Sequence, residues 1–168
     1  MCGIVGIWNH NGRPVERVVL DQLTDSLAHR GPDGRGTLIE EEVCLGLGHR
    51  RLSILDLTEA GHQPMPYADK RYWIVFNGEI YNYRELGSHL ESGGLSLRST
   101  GDTEVLVEAI ARWGLEHALD RIRGMFAMAV LDRQENTLTL VRDRMGICLL
   151  YTSPSPRDAT LSRMPSCG

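Results

Sequence analysis

The sequence predicts an α+β fold in which helices cover layers of largely antiparallel strands. Three observations lead there. Short apolar, β-branched runs occur in groups rather than in strict alternation with helical periods, a polar link joins two late strand-like runs, and no segment repeats. The chain has 168 residues, 42% of them hydrophobic and 24% charged, and these values suit one domain with a core of its own.

The first half of the chain begins with a strand and a helix. Residues 2–8 form a short apolar run typical of a buried strand, and residues 18–28 place Leu20, Leu23 and Leu27 at helical spacing. Pro and Gly within residues 30–34 end this helix. A loop rich in proline and polar residues follows at residues 58–69.

Short apolar runs and apolar residues at helical spacing also predict the remaining strands and helices. An apolar stripe predicts a helix at residues 102–113, and a shorter helix precedes it at residues 83–90. The link at residues 132–136 predicts a hairpin. The remaining predicted strands are residues 43–48, 52–55, 72–76, 125–131 and 137–141.

Composition excludes several classes of function. The net charge is -4, and no basic cluster offers the face that nucleic acid requires. No apolar run approaches the ~20 residues needed to span a bilayer, and the N-terminus lacks the basic start of a signal peptide. We therefore expect no nucleic-acid or membrane partner and a cytoplasmic protein. Cys2, Cys44, Cys148 and Cys167 show neither metal-ligand spacing nor a CxxC pair, so we expect no metal site and reduced thiols.

Cys2 is the first candidate for chemistry. Removal of Met1 would give a residue that carries both a thiol and a free amine. An α-amino group has a pKa of about 8, so the amine could activate the thiol as a base does in N-terminal threonine enzymes. On position alone, Cys2 is better explained as a small strand residue, and the flanking sequence favours the catalytic interpretation.

Asn77 and Gly78 are the second candidates. Asn-Gly between apolar runs is a hairpin-turn signal. The same pair could instead form an oxyanion hole from the asparagine amide and the glycine N–H. Glu79 and Tyr81 directly after the pair make the second interpretation more specific.

Two charged residues could bind a zwitterionic substrate. Arg51 could hold a carboxylate, or it could lie at a solvated strand end. Asp102 could hold an ammonium, or it could cap the helix that starts there. Residues 29–34 indicate only a turn, and residues 142–144 a surface ion-pair segment. The remaining histidines have no partner pattern and are expected at the surface: His10, His62, His89 and His117.

Taken together, these motifs resemble a known family. The sequence carries, in order, Met-Cys-Gly-Ile-Val-Gly at residues 1–6, His-Arg-Gly-Pro-Asp at 29–33, His-Arg-Arg-Leu-Ser-Ile at 49–54, Asn-Gly-Glu-Ile-Tyr-Asn at 77–82, Asp-Thr-Glu at 102–104 and Arg-Asp-Arg at 142–144. It is similar to the class II glutamine amidotransferase domain of glutamine-hydrolysing asparagine synthetases.

The resemblance implies an N-terminal-nucleophile hydrolase fold, a four-layer α-β-β-α sandwich. It implies glutamine as substrate, Cys2 as nucleophile and a glutamyl thioester as intermediate. Asn77 and Gly78 match the oxyanion hole of the family. Arg51 matches the residue that binds the substrate carboxylate, and Glu79 and Asp102 those that bind its ammonium. Leu52 and Ile54 would line the same pocket.

The end of the chain departs from the family. Family members continue Gly-Ile with Lys-Pro-Leu-Tyr-Tyr, whereas Cys148, Leu149 and Leu150 follow Ile147 here. We expect an incomplete, C-terminally truncated glutaminase domain at residues 1–147 and a non-native or disordered tail at residues 148–168. Re-sequencing the native locus tests that origin, because a native stop codon after Gly168 would contradict it.

The resemblance also implies partners and cofactors outside this sequence. A synthetase domain, normally in the same chain, would use ATP and Mg to amidate aspartate, and no cofactor is expected in this part. Whether the chain forms a homodimer stays open. The alternatives are the glutaminase domain of another class II amidotransferase, an amidase of the same fold acting on another amide, and a non-catalytic regulatory domain.

Overall fold

The described part of the chain forms two antiparallel sheets and four α-helices. The computed structural model describes residues 1–67 and 69–152. A single 3₁₀ turn in this part of the chain lies at Glu59–Gly61. The strands are β1 (Gly3–Trp8), β2 (Gly34–Glu40), β3 (Leu45–Arg51), β4 (Met65–Pro66), β5 (Tyr72–Ile80), β6 (Gly124–Asp132) and β7 (Thr137–Arg142). The helices are α1 (Arg17–Ser26), α2 (Tyr83–Ser92), α3 (Asp102–Trp113) and α4 (Leu115–Arg121).

The two sheets have different strand orders. The first has the order β1-β3-β2, and the second has the order β4-β5-β6-β7. All neighbouring strands pair antiparallel. In the second sheet β6 covers β5 along its whole length, from Tyr72 to Ile80, whereas β4 covers only Trp73 and Ile74 on the other edge. Within residues 1–67 and 69–152, most of that second edge of β5 therefore has no strand beside it.

The sheets and helices stack in four layers, α-β-β-α. Helix α1 packs on the first sheet, and the other helices pack on the outer face of the second sheet. The interface between the sheets buries Leu45 and Leu47 of β3 against Val75 of β5. The outer core is larger and includes Ile74, Phe76 and most of α3. This arrangement is the four-layer sandwich that the sequence resemblance implied.

Most predicted elements are confirmed, and one strand prediction is wrong. Residues 52–55 form a loop, because the main-chain N–H groups of Leu52 and Ser53 bond to the Cys2 sulfur and the Asp33 carboxylate instead of a neighbouring strand. Strand β3 also runs further than predicted, to Arg51. The predictions for residues 153–168 lie outside the described residues.

Two strands and one α-helix were missed by the sequence reasoning, and strand β4 lies inside the loop expected at residues 58–69. Strand β2 begins Gly-Arg-Gly, which has no apolar alternation. Gly36 must be small because a Cβ there would lie 2.0 Å from the main-chain oxygen of Gln63. Helix α4 has seven residues and a buried Ala118, too short a segment for a helical period to stand out. No helix in the part of the chain described combines the length and apolarity needed to cross a membrane.

The Asn77-Gly78 pair is not a hairpin turn, since both residues lie within β5. At Gly78 the main chain of β6 lies very close to β5. A Cβ at this position would lie 2.3 Å from the Met125 carbonyl oxygen and 2.6 Å from the Phe126 Cα. Backbone atoms cannot move aside as a flexible side chain does, so this crossing of β5 and β6 requires glycine.

We expect Gly78→Ala to destabilise the fold by at least roughly 1–3 kcal/mol, because the new methyl group forces two paired strands apart. Urea denaturation followed by circular dichroism measures this loss as a lower midpoint. Gly6→Ala is the matched control, since a Cβ there meets Leu47 at an ordinary 3.5 Å. Equal midpoints for the two variants would show that the β5–β6 crossing tolerates a side chain.

Candidate active site

One cleft contains every residue that the sequence analysis predicted as catalytic or substrate-binding. It opens where the start of β1, the loop after β3 and the middle of β5 meet the start of α3. The predicted residues in its lining are Cys2, Arg51, Leu52, Ile54, Asn77, Gly78, Glu79 and Asp102. These residues come from segments up to a hundred positions apart, so the fold brings them together.

Cys2 lies just before β1, with its main chain and its sulfur both bonded. Arg30 Nε donates to the Cys2 carbonyl oxygen at 3.0 Å. The Leu52 N–H donates to Cys2 Sγ at 3.4 Å, and the thiol lies 3.7 Å from the Leu52 carbonyl oxygen. The sulfur is half-buried at the cleft wall. The bond from Leu52 holds the sulfur at this wall.

The turn at residues 29–33 positions this corner of the cleft. Besides the bond from Arg30, the Asp33 carboxylate accepts from the Ser53 N–H at 2.8 Å, and the Asp33 N–H donates to the Arg51 carbonyl oxygen at 2.9 Å. Gly31 has no room for a side chain, because a Cβ would lie 2.3 Å from the main chain of Arg50. The sequence reasoning treated this segment only as a turn, and its motif in the family resemblance was the available signal.

The open edge of β5 is satisfied by side chains. The Phe76 N–H donates to Gln63 Oε1, and the Phe76 carbonyl oxygen accepts from His49 Nε2 at 3.2 Å. Two residues after Gly78, the Ile80 N–H donates to Asp102 Oδ2 at 2.9 Å. Because main-chain groups alternate sides along an antiparallel strand, Gly78 presents its N–H to this same edge. No bond to that N–H comes from any part of the chain that the structure describes.

As far as the described residues show, Gly78 therefore offers an unbonded N–H in a cleft wall that also contains the Asn77 amide. The side chains of Asn77 and Glu79 share the other face of β5, the face that packs toward the first sheet through Val75. Asn77 is buried, and its Oδ1 has no hydrogen-bond partner within residues 1–67 and 69–152. A buried amide with unused bonding capacity in a cleft suits a ligand-binding role.

Arg51 is held in place by main-chain carbonyl groups. Its Nη1 donates to the Thr58 oxygen at 2.6 Å, and its Nη2 donates to the Asp56 oxygen. Gly61 makes room for the guanidinium, because a Cβ there would lie 2.1 Å from Nη2. A guanidinium has more N–H groups than these two bonds use. The remaining groups are available to a carboxylate.

Two carboxyl groups line the same cleft from β5 and α3, those of Glu79 and Asp102. Burial raises the pKa of Asp102, and the nearby Glu79 carboxylate raises it further, while the bonds from Ile80 and Thr103 act in the opposite direction. Asp102 is not the helix N-cap, because Gly101 holds that position and Asp102 bonds to β5 instead. A cation bound between Glu79 and Asp102 would relieve their mutual repulsion.

Two further side chains act as internal supports of the site. Asp143 is buried and accepts N–H bonds from Phe126, Ile147 and Cys148. Burial opposes its charge, but these donors hold its pKa below the usual value. The expectation of a surface ion-pair segment at residues 142–144 is therefore wrong for Asp143. The other expectation, that His10, His62, His89 and His117 lie at the surface, is confirmed.

His49 was not singled out by the sequence, yet it is almost completely buried. Since a carbonyl oxygen can only accept, Nε2 carries a proton in the bond to Phe76. Burial lowers the pKa of His49 from 6.5 to about 4, so the neutral ring is the native form. Within the described residues, no group of three or more His, Cys, Asp or Glu side chains is arranged to hold a metal ion.

Comparison with known proteins places these features in context. The family model described as "Glutamine amidotransferase domain" matches residues 1–162. That match reaches past residue 147, and the domain boundary there stays a prediction. Asparagine synthetase [glutamine-hydrolyzing] 1 of Bacillus subtilis is 43% identical over 156 residues, which cover 90% of this chain and 24% of the relative.

Two other relatives are an asparagine synthetase and an amidase. Asparagine synthetase [glutamine-hydrolyzing] 2 of Oryza sativa subsp. japonica is 36% identical, covering 90% of this chain and 25% of its own length. Amidase chyE of Penicillium rubens is also 36% identical, covering 90% of this chain and 24% of its own length. The chain thus spans about a quarter of these relatives.

A solved structure supports the fold. The glutamine phosphoribosylpyrophosphate amidotransferase from B. subtilis, complexed with ADP and GMP, superimposes with a TM-score of 0.66 at 22% identity. The superposition covers 83% of this chain and 37% of that one. At this identity the similarity concerns the fold alone.

We expect His49 to make folding stability fall with acid. The unfolded histidine binds a proton below pH 6.5, whereas the native ring resists protonation until about pH 4. Stability from this group is therefore complete above pH 6.5 and is lost as pH falls through about 4, by roughly 3 kcal/mol. Urea denaturation across this range should show a flatter pH dependence for His49→Gln.

His117→Gln is the control, because His117 is exposed on α4 and its substitution should leave the pH dependence unchanged. If His49→Gln and His117→Gln gave the same slope as the wild type, His49 would not be a buried neutral histidine.

Proposed function

The chain belongs to the glutamine amidotransferase family, and from this premise we propose that it hydrolyses the side-chain amide of glutamine to glutamate and ammonia with Cys2 as nucleophile. One observation carries the proposal: the Cys2 thiol, a free N–H at Gly78 and a set of opposite charges line a single cleft. Hydrolysis of an amide needs the first two, and recognition of glutamine needs the third.

The nucleophile and the base are parts of one residue in this proposal. After removal of Met1, the α-amine of Cys2 accepts the thiol proton, and the thiolate attacks the amide carbon of glutamine. The C–N bond then breaks, and the amine returns the proton to the departing nitrogen, which leaves as ammonia. Water cleaves the resulting glutamyl thioester, releases glutamate and restores the thiol.

Asn77 and Gly78 stabilise the oxyanion that forms during both steps. The free edge of β5 supports this role, because the N–H groups of Phe76 and Ile80 are already bonded to side chains. The N–H of Gly78 is thus the one left between them for the substrate oxygen. The Asn77 side-chain amide supplies the second donor.

The charges of the cleft match a free amino acid. Glutamine carries an α-carboxylate and an α-ammonium group. We assign the carboxylate to Arg51, whose guanidinium keeps free N–H groups, and the ammonium to Glu79 and Asp102. Leu52 and Ile54 belong to the same lining. A peptide amide would lack the paired charges, so this set favours free glutamine over other amides.

We further propose that the ammonia serves ATP-dependent amidation of aspartate by a synthetase domain of a longer protein. The names of the Bacillus and Oryza relatives support this acceptor, and the chain spans only 24% and 25% of them. ATP and Mg would act in that domain. The amidase name of the Penicillium relative favours a second candidate, in which the same hydrolytic site works with a different acceptor.

The cytoplasm is the compartment that we propose for this chemistry. Cys2, Cys44 and Cys148 are free thiols in the structure, and reduced thiols persist where glutathione and thioredoxin act. A reduced compartment also keeps the Cys2 sulfur available as nucleophile.

We expect the protein to release glutamate from glutamine and Cys2→Ala to lower the rate by at least roughly a thousandfold, because nothing else in the cleft replaces the thiol. A coupled glutamate dehydrogenase assay measures the rate. Mass spectrometry of the N-terminus in the same sample tests the removal of Met1.

Cys44→Ala is the matched control, since Cys44 lies in the turn before β3 and outside the cleft. It should keep the wild-type rate. Equal rates in Cys2→Ala and wild type would remove Cys2 from its role, and no release by the processed wild type would favour the regulatory alternative.

We also expect glutamine affinity to fall as pH drops from neutral, and to fall earlier than an ordinary aspartate would cause. Burial raises the pKa of Asp102, so its carboxyl group becomes neutral at a higher pH and stops attracting the α-ammonium group. Calorimetric titration of the inactive Cys2→Ala protein with glutamine measures this affinity.

Asp102→Asn should bind glutamine roughly tenfold more weakly at neutral pH, with a flatter pH dependence. Glu116→Gln, which changes an exposed carboxylate of α4, should match the parent protein. A pH dependence that survives in Asp102→Asn would assign the ammonium site to another group.

A further inference from the structure

The loop after β3 folds around the Arg51 side chain. The guanidinium donates to the main-chain oxygens of Asp56 and Thr58, as described above. The position of this cation therefore depends on the conformation of residues 52–58. Only a fixed loop can hold the guanidinium at a fixed place in the cleft.

The Asp56 side chain fixes that loop. It is buried, with 6% of its surface exposed. Its Oδ1 accepts from the Thr58 N–H at 2.7 Å and from the Thr58 hydroxyl at 2.6 Å. Its Oδ2 accepts from the Thr100 N–H at 3.0 Å. The first two bonds close a local turn, and the third reaches a segment distant in sequence.

The partner at Oδ2 connects the loop to the other end of the cleft. Thr100 lies two residues before Asp102, where α3 begins. Asp56 thus joins the segment that holds Arg51 to the segment that holds Asp102. The Gly101 Cα lies close as well, since a Cβ there would meet the Asp56 Cβ at 3.5 Å.

We propose that Asp56 is a positioning residue that sets the separation between the carboxylate-binding Arg51 and the ammonium-binding Asp102, and thereby selects side-chain amides of free α-amino acids as substrates. The inference rests on the proposed glutaminase function and adds a specificity role to a residue that does not itself bind the reacting atoms.

A carboxylate is the group that suits this position. All three of its partners donate hydrogen bonds, and an ionised carboxylate only accepts. The Thr58 hydroxyl and N–H groups, with the Thr100 N–H, hold its pKa below the usual value although burial opposes this. An asparagine would turn its NH₂ group toward at least one of these donors. At least one of the three hydrogen bonds that Asp56 accepts would then be lost.

A purely stabilising role is the competing explanation, and it makes a different prediction. Loss of stability alone would lower the amount of active protein and so reduce the rate with every amide substrate equally. A changed separation between Arg51 and Asp102 would instead weaken the binding only of substrates that carry both an α-carboxylate for Arg51 and an α-ammonium group for Asp102.

The test compares glutamine with 4-aminobutanamide, which has the same amide and amine but no carboxylate for Arg51. In Asp56→Asn we expect the KM for glutamine to rise roughly tenfold, with kcat within about twofold of wild type. The kcat/KM for 4-aminobutanamide should stay within about twofold, because this substrate does not depend on where Arg51 lies.

Two variants complete the design. Asp120→Asn makes the same chemical change on the exposed surface of α4 and should match the wild type with both substrates. Thr58→Val removes one of the three bonds to Asp56 and should raise the KM for glutamine by a smaller factor, roughly threefold. Thr58→Val carries the test if Asp56→Asn does not fold.

The possible outcomes distinguish the positioning role of Asp56 from the proposed glutaminase function. No glutamate release by the processed wild type would overturn the proposed function. An active wild type together with an unchanged glutamine KM in Asp56→Asn and Thr58→Val would overturn the positioning role. An equal loss with glutamine and 4-aminobutanamide would also overturn it, because Asp56 would then serve stability alone.

Discussion

The unpaired edge of β5 is the constraint on which the cleft depends. A buried strand edge must find partners for its N–H and C=O groups. Strand β4 covers Ile74 and then ends, so the main chain further along β5 depends on side chains from other elements. Gln63 and His49 bond to Phe76, and Asp102 bonds to Ile80. The N–H of Gly78 is left between them, and the cleft forms around it.

The supports of this edge come from both sides of the second sheet. His49 reaches β5 from the first sheet, whereas Gln63 also donates to Thr103 on α3. Asp102 belongs to the first turn of the same helix. The two β-layers and the helix layer are therefore joined at the point where the sheet lacks a strand. A shift of any of these layers would move the donor at Gly78.

The Cys2 corner is built by a different set of bonds. Arg30 fixes the carbonyl group of Cys2, and Asp33 fixes the main chain beside Leu52, which in turn contacts the sulfur. These bonds set the position of the nucleophile without making contact with the β5 edge. The cleft thus has two independently anchored walls, one with the thiol and one with the oxyanion donor. The loop after Arg51 lines the same cleft, and Asp56 ties it to the segment before α3.

The sequence by itself determined the elements with strong periods, the family and the identity of the cleft residues. Apolar periods along β6 and α3 reflect burial that is local to one element, so they can be recognised without a fold. Motifs such as Asn77-Gly78-Glu79 gain meaning from their order in the chain. Short or glycine-rich segments such as β2 carry no such period, and they become strands only because β3 lies beside them.

Tertiary structure decided which polar groups are bonded and which remain free. Asp143 was expected in a surface segment and His49 was given no role of its own, yet the fold buries both and gives each a defined set of partners. The free N–H of Gly78 and the link from Asp56 to Thr100 depend on contacts between segments far apart in the chain. Hydrogen bonds of this kind leave no local pattern, because their geometry exists only after the layers have packed.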